Sequence, residues 1–99
     1  MKNKPQDKYR LGKPKDHLKF IRRLPCCHCD AINPEAFQFE GDYKLSLPLC
    51  KQYLEGRAAG YYNFKDEAGA RELARKLYLL SGDGYSSIMV LCGTKGKYI

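Results

Sequence analysis

Leu24-Pro25-Cys26-Cys27-His28-Cys29 and Leu47-Pro48-Leu49-Cys50 are the two segments on which the fold turns. Cys26 and Cys29 have the C-x-x-C spacing with which one tight turn offers two thiolates to two corners of a tetrahedral site. Cys50 follows an alternating apolar stretch and stands at the head of a short helix, where a second ligand pair would come from. The expected companion of Cys50 lies three residues on, and that residue is Tyr53, a poor metal ligand. The candidate metal ligands are therefore Cys26, Cys29 and Cys50, with the fourth corner open to Cys92 or His28. Cys27 and His17 are the other donors, although Cys27 and His28 lie inside the knuckle and would strain the turn to reach the same ion. A structural zinc suits this donor set; the alternative is that the thiols are small buried hydrophobes.

Working outward, Asp16 stands at an N-cap position before Leu18, Ile21 and Leu24, with Phe20 beside them, and Pro25 stops the helix. Lys19, Arg22 and Arg23 fall on its other face. After the knuckle, Phe37 and Phe39 alternate with Gln38 and Glu40, Gly41-Asp42 turns, and Tyr43, Leu45, Leu47 and Leu49 alternate again. The pair predicts a β-hairpin, with Pro48 at an edge or exit. A short helix opens at Cys50 and runs to Leu54, and Gly56 and Gly60 bracket a break. Asp66 caps a longer helix that buries Ala70, Leu73, Ala74, Leu77 and Leu80 and ends at Ser81-Gly82-Asp83-Gly84. Tyr85 to Cys92 is rich in β-formers and predicts a third strand beside the hairpin. The fold class is α+β: helix, Cys knuckle, β-hairpin, helices and a C-terminal strand.

Ninety-nine residues, 43% hydrophobic and without tryptophan, suit one small domain whose core is helped by a staple such as a metal. An odd cysteine count, five, argues against a disulfide framework. No run approaches the ~20 apolar residues of a membrane span, and no apolar stretch follows the basic start, so the expectation is a cytoplasmic protein. The net charge is +7, and residues 1–25 carry all of it, with nine Lys/Arg against Asp7 and Asp16. Residues 1–15, broken by Pro5, Gly12 and Pro14, read as a flexible basic arm, and 16–99 as the domain.

The string from Asp16 to Cys29, with its Leu-Pro-Cys-x-x-Cys end, resembles the opening of small phage-type HNH endonucleases. Gly41-Asp42-Tyr43-Lys44-Leu45-Ser46-Leu47-Pro48-Leu49-Cys50 is similar to their second block, and Ala74-Arg75-Lys76-Leu77-Tyr78 to their closing helix. The resemblance covers about residues 16–80 and implies a treble-clef, ββα-metal core. It also exposes a loss. The family's paired histidines after the knuckle fall on Ala36 and Phe37, and those after the second block fall on Tyr53, Leu54 and Ala58. An HNH site needs a histidine base and further His, Asn or Asp side chains to hold a divalent metal on the scissile phosphate. None of these residues can serve, so the resemblance implies a degenerate scaffold that does not cut.

Two uses of such a scaffold follow. Phage genomes recycle small folds as inhibitors of host machinery, anti-CRISPR proteins among them. The acidic stretch with Asp30, Glu35, Glu40 and Asp42 would then face a basic channel of a host protein or ribonucleoprotein complex. The complete loss of histidines favours this use. The alternative is non-cleaving DNA or RNA binding through Lys8, Arg10, Lys13, Lys15, Lys19, Arg22 and Arg23, with Tyr61 and Tyr62 as stacking faces.

Overall fold

The computed structural model describes residues 13–99. Lys8 and Arg10 lie outside the described residues. The first helix, α1, spans Pro14–Arg22. It begins before Asp16, because Pro14 takes the first helical position, where a missing N–H costs nothing. Asp16 makes no cap hydrogen bond and sits instead in the first turn, where the helix dipole favours an anion. Pro14 and Lys15, assigned to the arm from sequence, are thus helical. His17, Ile21 and Leu24 share the buried face.

The hairpin is shorter than the alternation predicts. Strand β1 is Glu35–Gln38 and β2 is Ser46–Leu49, antiparallel, with Ala36 opposite Pro48 and Phe37 opposite Leu47. Phe39 to Gly41 form one 3-10 turn instead of continuing the strand, with Glu40 and Gly41 in the left-handed region at φ 53° and 73°. The Asp42 carboxylate accepts the Lys44 N–H at 3.0 Å and closes the connection. Pro48 has no N–H to give, and its carbonyl accepts the Cys27 N–H at 2.9 Å, fixing the knuckle beside the strand. All of β2 is buried, and both α1 and α3 pack on it.

Helix α2 spans Lys51–Ala58 and runs straight through Gly56. That glycine makes room: a Cβ there would lie 2.4 Å from the Tyr62 ring. Helix α3 is Glu67–Leu79, its first turn capped by the Asp66 carboxylate accepting from the Gly69 N–H at 3.0 Å. It buries Ala70, Leu73, Ala74 and Leu77 as the spacing predicts, while Leu80 is only half-buried at the cap.

The third strand does not form. Gly84–Thr94 is a helix, α4, and the sheet of the described residues has two strands. Asp83 caps the first turn, its carboxylate accepting the Ser86 N–H at 3.0 Å and the Ser86 hydroxyl at 2.8 Å. A capped nucleus and i, i+4 bonding override the β preference of Ile88 and Val90. The last residues are pinned rather than loose: the Tyr98 carbonyl accepts the Lys65 N–H at 2.8 Å, and Ile99 is buried. Among the described residues no helix is long and apolar enough to cross a membrane.

Candidate functional site

The knuckle is built by backbone geometry. The Asp30 N–H reaches the Cys26 carbonyl at 2.8 Å and the Cys26 N–H reaches the Ala31 carbonyl at 2.9 Å, with Asp30 in the left-handed region at φ 64°. The turn directs Cys26 and Cys29 to one place, and β2 delivers Cys50 to the same place. The three sulfurs lie within 4.8 Å of one another, with Cys29 and Cys50 at 3.6 Å. Sulfurs at a zinc–thiolate bond length of ~2.3 Å stand about 3.8 Å apart in a tetrahedron, so the cluster has the spacing of a metal site.

Backbone donors converge on these sulfurs. Cys26 Sγ accepts the His28 N–H at 3.3 Å and the Cys50 N–H at 3.2 Å, and Cys50 Sγ accepts the Tyr53 N–H at 3.3 Å. Such bonds stabilise thiolates. At Cys50, burial opposes ionisation, but the Tyr53 amide and the neighbouring thiols outweigh it and bring the pKa down. At Cys29, the Ala31 amide favours the thiolate, yet burial and the two neighbouring sulfurs win and push the thiol up to about 11. A cation among the three would reverse that balance. Cys27 is different: burial drives its thiol strongly upward, and it points into the core as an inert apolar residue.

None of the sequence candidates for the fourth corner joins the cluster. The His28 ring packs on Tyr53 at 4.7 Å and on Tyr62 at 5.4 Å. Cys92 is exposed on α4. His17 is fully buried, its Nδ1 2.8 Å from the Ser81 hydroxyl, and burial lowers its pKa to about 4. Tyr53 turns into the core, stacked on Tyr62 with the rings 5.1 Å apart. The described side chains therefore bring together three thiols that could hold a metal, with no fourth His, Cys, Asp or Glu among them.

Strand β1 and helix α2 together line a shallow, open groove. Ala36, Phe37, Leu54 and Ala58 line it, with Glu35, Lys51 and Glu55 among its borders. The fold gathers these four apolar residues, from β1 and α2, on one surface. Arg57 lies under it, its guanidinium 5.1 Å from the Phe37 ring and 4.6 Å from Phe64.

The charged candidates separate. Lys13, Lys15, Lys19, Arg22 and Arg23 are all exposed. Lys15, Lys19, Arg22 and Arg23 follow i, i+4, i+7, i+8 spacing and form one basic face opposite His17, Ile21 and Leu24. The acidic stretch is partly engaged. Glu40 pairs with Arg71 at 3.0 Å, Asp30 pairs with Lys95, and Asp42 serves its own turn. Glu35 remains exposed on the groove edge. Tyr61 is 83% exposed, whereas Tyr62 is absorbed into the aromatic stack. Sequence reasoning missed the Arg71–Glu40 and Lys95–Asp30 pairs, because their partners lie 31 and 65 residues apart and no local pattern encodes such a contact.

No protein-family model matches the chain, and no curated protein or solved structure is detectably similar to it.

Proposed function

We propose that this chain is a non-cleaving nucleic-acid-binding domain on a degenerate HNH-like scaffold, with α1 as its phosphate-binding face. The observation that carries the reading is the exposed basic face of Lys15, Lys19, Arg22 and Arg23. Four cations on one short, rigid helix meet successive phosphates without ordering a loop, and counterion release drives the association. Two acidic residues that spoke for a protein target, Glu40 and Asp30, each have a surface ion-pair partner, Arg71 and Lys95.

The groove supports the absence of cutting. Ala36, Phe37, Leu54 and Ala58 neither accept protons nor ligate metal, and a nuclease centre there would have no histidine base. The metal that fits the thiol cluster is zinc, held by Cys26, Cys29 and Cys50. Its role is structural, tying the knuckle to β2 and to the first turn of α2.

A gel-shift titration with duplex DNA, alongside incubation of supercoiled plasmid with magnesium or manganese, tests this. Binding without nicking is expected, with binding lost in the Lys19→Glu/Arg22→Glu/Arg23→Glu variant. Nicking that survives purification, or undiminished binding by the variant, contradicts the proposal. A second reading, an inhibitor docking onto a host nucleic-acid-processing complex, is favoured by the apolar groove with Glu35 at its edge. A stoichiometric protein partner that survives nuclease treatment of a pull-down, and is lost in Phe37→Glu, would select it.

A further inference from the structure

Helix α4 is built inside out. Tyr85, Ile88 and Met89 are 77%, 42% and 57% exposed, and Cys92 and Gly93 are exposed with them. Their spacing, i, i+3, i+4, i+7 and i+8, makes one continuous face. The inward side is less apolar: Ser87 is fully buried beside Leu91, and its hydroxyl has no hydrogen-bond partner. A contiguous apolar face on a soluble helix marks an interaction surface.

We propose that this face seats a second copy of the chain, antiparallel, on a two-fold axis through Met89. Charge is the first argument. From Gly84 to Thr94 the helix has no charged side chain, while Asp83, the cap that accepts from Ser86, precedes it, and Lys95, paired with Asp30, and Lys97 follow it. Antiparallel seating brings the acidic end of each copy to the basic end of the other and opposes the two helix dipoles; parallel seating would stack lysine on lysine. A chain of net charge +7 meets itself at low cost only across a neutral seam.

Shape is the second argument. With the axis at Met89, Tyr85 of one copy falls opposite Gly93 of the other. Beyond Gly93 there is open space, with nothing within 4 Å of where a Cβ would stand. Each end of the seam therefore sets a large ring against an exposed glycine with no side chain to obstruct it. An eleven-residue helix is about 16 Å long, so the seam alone is smaller than the ~800 Å² per partner of a standard interface. The dimer is weak and concentration-dependent, and it is independent of the metal and nucleic-acid readings.

Sedimentation equilibrium of the full chain under reducing conditions tests it. The wild type is expected to show a reversible monomer–dimer equilibrium. Met89→Glu, which sets two carboxylates across the axis, should weaken association by at least about tenfold with an unchanged circular dichroism spectrum. Leu79→Glu, 63% exposed on α3 and off the face, should leave it intact. In a Cys92→Ser background, Met89→Cys should cross-link to itself under mild oxidation and Tyr85→Cys should not. A wild type monomeric at every concentration, which would assign the face to a different protein, overturns the proposal. So does dimerisation unaffected by Met89→Glu, or a Tyr85→Cys link as fast as that of Met89→Cys.

Discussion

Cys50 combines two duties that can be separated. Its sulfur accepts the Tyr53 N–H as the N-cap of α2 and also lies in the three-thiol cluster. Serine keeps the cap but loses the soft ligand. Cys50→Ser is therefore expected to lower bound zinc from about one ion per chain to near zero while α2 persists, as read by metal analysis and circular dichroism. Cys92→Ser should leave zinc content unchanged, because Cys92 stands outside the cluster. His17 gives a pH prediction. Burial holds its folded pKa at about 4 against 6.5 when unfolded. Between those values the unfolded chain binds the extra proton, so stability is full above about 6.5 and falls as the pH drops toward 4. The loss is at most about 3 kcal/mol. Urea melts at pH 7 and pH 5 should diverge for the wild type and converge for His17→Phe.

Among the elements, α4 and the tail carry the sharpest expectations. Asp83→Ala removes the cap that turns a β-prone run into a helix, and should cost about 1 kcal/mol in thermal unfolding. Gly69→Ala is expected to cost on the order of 1–3 kcal/mol, since its Cβ would lie 2.3 Å from the Tyr98 ring and push the tail off α3. Local chemistry explains what the sequence made legible. The α3 face was readable because 3.6-residue periodicity is a property of one segment, and the Cys26/Cys29/Cys50 convergence because C-x-x-C dictates its own turn. Helix α4 was misread because Ile88, Val90 and Leu91 resemble a strand, and its apolar face is exposed instead of marking a buried helical stripe. The Asp83-x-x-Ser86 cap was the available signal. The start of α1 was misplaced because an N1 proline sets a boundary as firmly as a capping side chain. The pairing of Asp30 with Lys95 had no local signature at all.

For the molecule as a whole, charge layout links fold to function. The basic face of α1 is carried on a helix whose other side is locked into β1 and β2, so its cations are preorganised. The groove between β1 and α2 is lined by Ala36, Phe37, Leu54 and Ala58, and the thiols of Cys26, Cys29 and Cys50 converge where the knuckle meets the end of β2. Removing zinc with a chelator should therefore lower thermal stability and, with it, binding, without either state ever cutting DNA.

The most direct test of the central claim is fluorescence anisotropy of a labelled duplex over a salt series, for the wild type and for the Lys19→Glu/Arg22→Glu/Arg23→Glu variant. Each phosphate contact contributes a slope of about −0.9 in log affinity against log salt. The wild type is expected to bind with a steep slope, and the variant to lose affinity with a slope shallower by about 3. Binding that is absent from the wild type at low salt, or a slope identical in the two proteins, would contradict the assignment of α1 as the phosphate-binding face.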